Sequence, residues 1–395
     1  MTMRYDFDKP IVRRGSGSYK WDSAADRDML PMWVADMDFR TAPAVIDALR
    51  RRVEHGVFGY TLVPDGYYKA VIDWFGRRHG LELEREWFIY TSGVVPAVSA
   101  IIKALASPGA GVLLLTPVYN CFFSSIRNNG CHAVESALLY DDGTYTIDFD
   151  DFERKAAGND VKLFLLCNPH NPGGRVWSAG ELRRLGDICQ RHGVIVVADE
   201  IHCELVFPGY RYVPFASLGP EYRDNSVTCV SPSKAFNIAG LQIANIIVSD
   251  AARRALIDKA INVNEVCDVN PFGVEALMAA YNEGGEWLDR LVEYLYGNYR
   301  YLKDYMESRF PELTVTRLEG TYLAWIDCRA LKVASSCIEE SLKSEAHLWI
   351  NGGTHYGVAG EGFVRINFAC PRSVLASGLD RFARWLTCHM DFGRQ

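Results

Sequence analysis

The sequence has no stretch approaching the run of about 18 apolar residues that a membrane-spanning helix needs, and its first residues lack the apolar segment of a secretory signal. It has no basic block either, since 42 lysines and arginines stand against 49 aspartates and glutamates, a net charge of −7. This balance gives little reason to expect a nucleic acid or an anionic membrane as a partner. We therefore expect a cytoplasmic protein that binds neither.

Several chemical signatures are also missing. The 11 cysteines are odd in number and contain no C-x-x-C pair, so neither a disulfide framework nor a zinc site is expected. No metal ligands are therefore proposed from the sequence. The chain has no G-x-G-x-x-G fingerprint and no G-x-x-x-x-G-K-[ST] loop, which weighs against a dinucleotide site and excludes a P-loop.

What the sequence does contain is an alternation of two textures. From about residue 88, short apolar runs rich in β-branched residues (FIYT, VLLL, VKLFLLC, VIVVA, SVTCV and ANII) alternate with segments of helical spacing. Such alternation predicts an α/β fold in which a mostly parallel sheet is covered by helices on both faces. The run VIVVA has no inward–outward alternation, as expected of a strand that is buried on both faces.

The length of 395 residues suggests two or three domains at about 150 residues each. After about residue 285 a long helical segment leads into a smaller α+β pattern. We predict an N-terminal arm at residues 1–44 that joins the small domain, a large domain at 45–285 and a small C-terminal domain at 286–395. The arm lacks periodicity and is predicted to be an extended segment followed by a loop.

Polar residues follow the apolar runs at the points where the predicted strands end. They are Ser92 and Gly93, then Tyr119, Asn171, Asp199, and finally Ser231, Ser233 and Lys234. In open α/β sheets, ligands bind at the carboxyl ends of the strands, so these side chains should converge on one site.

The convergent set favours one cofactor. A glycine turn that enters a helix, with serine hydroxyls nearby, is suited to a phosphate. A lysine can form a Schiff base with an aldehyde, and a buried aspartate can keep a pyridine nitrogen protonated. We therefore predict pyridoxal 5'-phosphate. Members of this set also have structural explanations when taken alone, because Asn171 could simply form a turn and Tyr119 could belong to the core.

Three motifs carry a resemblance over nearly the whole chain. The segments NPHNPGG, ADEIH and SPSKAFNIAGLQ resemble the core motifs of the class I/II aminotransferases, which have the fold type I of pyridoxal phosphate enzymes. The segments KWD, PMWVADMDF, FGYT and FVRINFACPR resemble those of the MalY/PatB-type carbon–sulfur lyases, the cystathionine β-lyase group. The resemblance implies a large domain with a seven-stranded, mostly parallel sheet and a smaller α+β domain.

The resemblance also implies a role for each matching residue. Lys234 and Tyr119 would be catalytic, Lys234 as the Schiff-base lysine and proton-transfer base and Tyr119 as the ring that stacks on the cofactor. The other cofactor contacts would come from Gly93, Val94, Val95, Asn171, Asp199, His202, Ser231, Ser233 and Tyr60 of the partner subunit. The substrate carboxylate would be held by Arg365, with Ala35 and Asp36 in a loop that closes over it.

One position departs from the wider family. Many class I/II aminotransferases have an arginine eight residues after the lysine, as a further phosphate ligand, where this chain has Gln242. The carbon–sulfur lyase group commonly lacks that arginine, so the departure favours this group.

The implied activity is β-elimination on a sulfur-containing amino acid, which yields a thiol, pyruvate and ammonia, by a homodimer with shared active sites. Cystathionine, cystine, cysteine and S-substituted cysteines all remain open as the substrate. Two alternatives stand beside this interpretation. An aminotransferase would use the same residues, and a binding or regulatory protein could have the same fold, although the complete catalytic set argues against binding as the sole role.

Overall fold

The computed structural model describes residues 5–263 and 268–390. The first four residues of the predicted arm and the last five of the predicted small domain lie outside the described residues. The α-helices are α1 (Tyr19–Asp22), α2 (Pro43–His55), α3 (Asp65–His79), α4 (Val94–Leu105), α5 (Asn120–Asn128), α6 (Phe149–Ala156), α7 (Ala179–Arg191), α8 (Pro220–Asp224), α9 (Ala251–Asn262), α10 (Pro271–Glu283), α11 (Gly285–Arg309), α12 (Ser335–Ala346) and α13 (Arg372–Met390).

The larger sheet has seven strands and confirms the predicted α/β class. They are β1 (Phe88–Thr91), β2 (Gly111–Thr116), β3 (His132–Ala137), β4 (Val161–Cys167), β5 (Ile195–Asp199), β6 (Ser226–Val230) and β7 (Ala244–Ile247). Their order across the sheet is β1-β7-β6-β5-β4-β2-β3. Only β7 is antiparallel to its neighbours, so β1 to β6 all end at the same edge.

The direction of β7 has a simple cause. The connection from β6 to β7 contains only a short 3-10 turn at Ala239–Leu241 and no helix that could cross the face of the sheet. A parallel neighbour needs such a crossover of a dozen or more residues, usually helical, so the chain returns antiparallel. That connection carries the SPSK motif, which therefore stays at the edge where β6 ends.

Both faces of the sheet are covered, as the unalternating strands predict. All six residues of β2 are buried. On one face Leu114 packs in a cluster with Ile101 of α4, and on the other face Leu113 packs in a cluster with Leu185 of α7. The strands therefore lack an alternation of apolar and polar residues because helices cover both faces of the sheet.

A second sheet lies in the C-terminal part of the chain. It has four antiparallel strands, β8 (Thr314–Val315), β9 (Leu323–Asp327), β10 (Asn351–Gly352) and β11 (Phe363–Asn367), in the order β8-β9-β11-β10. The larger sheet falls within 45–285 and this one within 286–395, while the domain boundaries themselves stay a prediction.

The N-terminal segment is more ordered than an extended arm. It contains the short helix α1, capped by the Ser18 side chain, and a strand at Leu30–Pro31. That strand pairs in parallel with Leu348–Trp349. These contacts fix where the following residues, 33–39, cross the edge of the larger sheet. Within the residues that the structure describes, no helix is both long and apolar enough to cross a bilayer.

Candidate active site

A cavity of about 180 Å³ opens at the edge where strands β1 to β6 end. It is the place that the sequence predicts for a ligand. Most of the predicted site residues line it, namely Ala35, Gly93, Val94, Val95, Tyr119, Asn171, Asp199, His202, Ser233 and Lys234. The cavity also brings in residues that sequence reasoning left out of the site, and Cys167 and Ile201 are among them, while Ser92 lines it as the strand ends predict.

One end of the cavity is the N-terminus of a helix. Gly93 is the N-cap of α4, which begins at Val94 and has 12 residues. The first N–H groups of a helix have no partner inside the helix, and the helix dipole adds positive potential there. The backbone of Val94 and Val95 is therefore suited to bind an anion such as a phosphate.

The two predicted serines differ in their surroundings. Ser233 lines the cavity. The Ser231 hydroxyl instead donates to the Ile243 carbonyl oxygen at 2.6 Å and accepts the Ser233 N–H at 3.0 Å. Its hydroxyl hydrogen is thus committed inside the β6–β7 connection, and Ser231 fixes the backbone that presents Ser233.

Lys234 brings an amine to the cavity wall. Its Nζ donates to the Ala35 carbonyl oxygen at 2.7 Å. Burial and the Arg365 guanidinium lower the pKa of Lys234 to about 8, while the Asp36 and Asp199 carboxylates act in the opposite direction. A substantial fraction of the amine is therefore neutral at physiological pH, as a nucleophile or base requires.

Asp199 is the last residue of β5 and places a carboxyl group at the floor of the cavity. One carboxylate oxygen accepts the Ile201 N–H at 3.1 Å. Burial raises the pKa of Asp199 to about 6, with the Lys234 charge lowering it. Because the ionised carboxylate of Asp199 is unfavourable in this buried position, a cationic group on a ligand would stabilise it.

His202 lies three residues beyond Asp199 and is buried. Burial lowers the pKa of His202 to about 3, and the charges of Lys234 and Arg365 lower it further. Its Nδ1 has no hydrogen-bond partner among the described residues. His202 is therefore a neutral imidazole with one ring nitrogen available to a ligand.

Asn171 and Arg365 are joined although 194 residues separate them. Arg365 Nη1 donates to Asn171 Oδ1 at 3.2 Å, and Nη2 donates to the Trp33 carbonyl oxygen at 2.6 Å. Arg365 also lies over the ring of Tyr356, and its Nε has no partner in the described part of the chain. A buried guanidinium with an unused N–H is suited to hold a carboxylate.

Tyr119 presents an aromatic ring to the cavity from the start of α5, where it is the N-cap. Burial raises the pKa of its phenol well above the usual value, and the neighbouring Cys121 adds to this effect. The phenol therefore stays neutral, and the ring offers a flat apolar surface next to a polar group.

The remaining predicted residues lie outside the cavity lining. The Asp36 carboxylate contacts Arg13 rather than the cavity, and Tyr60 is 96% exposed in the single chain. Gln242 is the C-cap of the turn Ala239–Leu241. Tyr322, which sequence reasoning missed, donates its hydroxyl to the Ala35 carbonyl oxygen at 2.8 Å. No motif in the sequence flags that tyrosine.

These observations fit pyridoxal 5'-phosphate at three separate points. The helix N-terminus at Gly93 suits its phosphate, the buried Asp199 suits a protonated pyridine nitrogen, and Lys234 suits its aldehyde. The unpartnered Nδ1 of His202 is a polar group without a protein partner in the described chain. A ligand with a polar substituent on its ring would satisfy it.

A model of the family "Aminotransferase class I and II" matches residues 27–382. The cystathionine β-lyase PatB of Bacillus subtilis is 41% identical over 95% of this chain and 98% of its own length. The protein MalY of Escherichia coli is 36% identical over 95% of this chain and 97% of its own. The crystal structure of a PLP-bound C–S lyase from Staphylococcus hominis is 34% identical, covers 97% of this chain and 98% of its own, and has a TM-score of 0.91.

Proposed function

Because the chain belongs to the aminotransferase class I and II family, we propose that it is a pyridoxal 5'-phosphate-dependent carbon–sulfur lyase that acts by β-elimination on sulfur-containing amino acids. Its products are a thiol, pyruvate and ammonia. The observation that carries the proposal is the placement of Lys234 and Asp199 in the lining of a single cavity, with Arg365 hydrogen-bonded to the lining residue Asn171. The named activities of PatB and of the Staphylococcus hominis lyase support the choice of a carbon–sulfur bond.

Residues from five strand ends would hold the cofactor. The N–H groups of Val94 and Val95, together with the Ser233 hydroxyl, would bind its phosphate next to Gly93. Asp199 would pair with its ring nitrogen, Asn171 and His202 would bind its ring oxygen, and Tyr119 would pack on the ring. Ser231 would support the Ser233 backbone through its hydrogen bond to the Ile243 carbonyl oxygen.

When bound, the cofactor supplies an electron sink for the negative charge left at the substrate α-carbon. The protein supplies the rest. The neutral amine of Lys234 removes the α-proton, and its pKa of about 8 keeps enough of it unprotonated to do so. The Asp199 carboxylate keeps the opposite side of the site negative, and this preorganised charge is the largest contribution expected from the protein.

The substrate carboxylate binds at Arg365. Its Nη2 is bonded to the Trp33 carbonyl and its Nη1 to Asn171, so the guanidinium is oriented before substrate arrives. The free Nε and the charge of the group then receive the carboxylate without reorientation, which lowers the entropic cost of binding.

The active site is shared between two copies of the chain. Tyr60 lies outside the cavity, and its neighbours Phe58 and Leu62 are also largely exposed. A run of exposed apolar side chains is typical of a surface that another chain covers. Tyr60 of the partner subunit then reaches the phosphate.

The ten cysteines in the described residues are free thiols, which favours the reducing cytoplasm as the compartment.

The proposed activity is tested with purified protein, saturated with the cofactor and given L-cystathionine, L-cystine and L-cysteine in separate assays. Pyruvate and ammonia should appear in equal amounts with at least one of them, together with one equivalent of the sulfur product, which is homocysteine from cystathionine, thiocysteine from cystine and hydrogen sulfide from cysteine. Amino-group transfer to an added keto acid, without ammonia, would replace the lyase with an aminotransferase. Absence of turnover with all three, despite a visible absorption band of bound cofactor, would leave a binding role.

The pKa of Lys234 predicts how cofactor capture depends on pH. The neutral amine reacts with an aldehyde, and lysine is neutral above its pKa, so covalent capture by apoprotein should speed up as pH rises through about 8. Asp36→Asn removes a carboxylate that raises this pKa and should move the midpoint to lower pH. The measurement is the rate at which the absorption band develops in a stopped-flow series. An unshifted midpoint in Asp36→Asn would contradict the assigned electrostatic coupling.

A further inference from the structure

The segment of residues 33–39 crosses the mouth of the cavity. On its inner side, its backbone carbonyls accept hydrogen bonds from side chains of the site. The Trp33 carbonyl accepts Arg365 Nη2, and the Ala35 carbonyl accepts Lys234 Nζ at 2.7 Å and the Tyr322 hydroxyl. Asn367 Nδ2 donates to the Val34 and Asp36 carbonyls. The two cations of the site thus take their orientation from this segment.

The outer side of the same segment carries two carboxylates, and an arginine from the N-terminal arm grips both. Arg13 Nη2 lies 2.6 Å from Asp36 Oδ2, and Arg13 Nη1 lies 2.7 Å from Asp38 Oδ1 and 3.1 Å from the Met37 carbonyl oxygen. Lys20 completes the cluster, with its Nζ 2.8 Å from Asp38 Oδ2 but 3.7 Å from Asp36. Two positive and two negative side chains therefore lie against each other.

Asp36 and Asp38 differ in how much they depend on Arg13. Asp38 also accepts Lys20 Nζ and Trp21 Nε1 at 2.8 Å each, so it keeps partners without Arg13. Asp36 has its close hydrogen bonds from Arg13 alone among the described residues. The Asp36 charge already acts on Lys234 and on the Tyr322 hydroxyl across the segment. Released from Arg13, this carboxylate would keep Lys20, whose Nζ lies 3.7 Å from Asp36 Oδ1, and the cations of the site as its remaining attractions.

From this arrangement we infer that Arg13 is a positioning residue for the substrate carboxylate: it holds the Asp36 carboxylate on the outer side of residues 33–39, where it cannot compete with substrate for Arg365. The inference rests on the proposed function, because it assigns Arg365 to an amino-acid carboxylate. It gives the N-terminal arm a part in substrate affinity, although Arg13 touches neither cofactor nor substrate.

The test compares Arg13→Gln with Arg14→Gln in the cofactor-saturated protein. Arg14 is a matched control, since it donates to the Trp21 and Met29 carbonyls rather than to residues 33–39. Arg13→Gln should raise KM for L-cystathionine on the order of tenfold, the scale of one lost charge-assisted hydrogen bond, with kcat changed less than about threefold. Arg14→Gln should change neither by more than about twofold.

A second readout needs no turnover. Glycine has the carboxylate but no leaving group, so its dissociation constant, read from the change in the cofactor absorption band, should rise with KM in Arg13→Gln. If wild-type protein makes no pyruvate but glycine affinity falls as described, the proposed function fails and the inference stands. If wild-type protein makes pyruvate and the two arginine variants behave alike, the inference is overturned.

The double variant Arg13→Gln/Asp36→Asn separates competition from loss of structure. Removing the Asp36 charge should restore most of the glycine affinity, because no carboxylate is left to compete for Arg365. If affinity stays as low as in Arg13→Gln, Arg13 acts only through general order of the arm, and the inference is overturned. Arg13 and Asp36 are each about one-fifth exposed, which favours folding of these variants. Should Arg13→Gln fail to fold, Arg13→Lys is the second variant. It keeps the positive charge but cannot bind Asp36 and Asp38 through two nitrogens, so KM and the glycine dissociation constant should rise less.

Discussion

Replacement of Lys234 by alanine is expected to lower the rate of pyruvate formation by a factor on the order of 10⁴ or more. Proton transfer by a positioned side chain contributes up to about 10⁴ in rate, and Lys234 is also the group that reacts with the cofactor. The other lysine near this segment, Lys20, is buried on the outer side of residues 33–39, where its amine donates to the Asp38 carboxylate. It cannot take over the task. Pyruvate formation under saturating L-cystathionine is the measurement.

A surface lysine supplies the control for this prediction. Lys103 lies on the exposed side of α4 and should tolerate alanine without loss of activity. The cavity of Lys234→Ala keeps the helix N-terminus at Gly93 and the Asp199 carboxylate, so the cofactor should still bind, without a covalent link. Small primary amines added to the solution should restore part of the rate by occupying the vacated space. Activity above about one-hundredth of wild type without added amine would remove Lys234 from its assigned role.

The sequence predicts the parts of the site that lie on regular structure. Asp199, Asn171 and Lys234 each follow a strand whose buried, unalternating residues are visible in the sequence. Because parallel strands end at a common edge, the convergence of these residues needed no knowledge of tertiary packing. Most of the predicted set does line one cavity.

The parts that the sequence does not predict depend on contacts between distant segments. Two such contacts lie at the mouth of the cavity. Arg13 of the arm forms salt bridges with Asp36 and Asp38. The Tyr322 hydroxyl, next to the C-terminal sheet, donates to the Ala35 carbonyl oxygen. Neither Arg13 nor Tyr322 sits in a motif that marks chemistry. The Asp36 carboxylate, predicted as part of the substrate loop, is turned towards the arm, and only tertiary structure reveals that direction.

The fold shows the same division. The strands of the larger sheet are visible as β-branched runs, yet the antiparallel direction of β7 depends on the absence of a crossover helix after β6. Between β7 and the long helical segment after residue 285, the chain forms two helices, α9 and α10. Ten of the 13 residues in α10 are nonpolar, and seven residues of this helix are buried. The alternation of apolar and polar residues that marks a helix is therefore weak there. A helix buried on most sides has no periodic signature to detect.

Replacement of Asp199 by asparagine is expected to separate stability from activity. The buried carboxyl group has a pKa raised to about 6, so its ionisation opposes folding of the apoprotein above the unfolded-state value near about 4. That destabilisation is small at pH 4, where the carboxyl group of the unfolded chain is only about half ionised, and complete at pH 8. Because asparagine carries no charge, the apoprotein of Asp199→Asn should be at least as stable as wild type at pH 8, with the difference vanishing at low pH. Urea unfolding of both apoproteins at several pH values measures this.

The same substitution should lower pyruvate formation by about 10²–10³-fold, the effect of removing one preorganised charge from an active site. The loss arises because the amide cannot hold a positive charge at the ring nitrogen, so the group that accepts electrons from the substrate α-carbon becomes weaker. Asp199→Glu keeps the charge and should retain more activity than Asp199→Asn despite its extra methylene in a packed site. A variant that is both stable and fully active as asparagine would mean that the Asp199 charge has no part in catalysis. The low-dielectric position of this carboxylate, costly to the empty protein, would then have no functional reason.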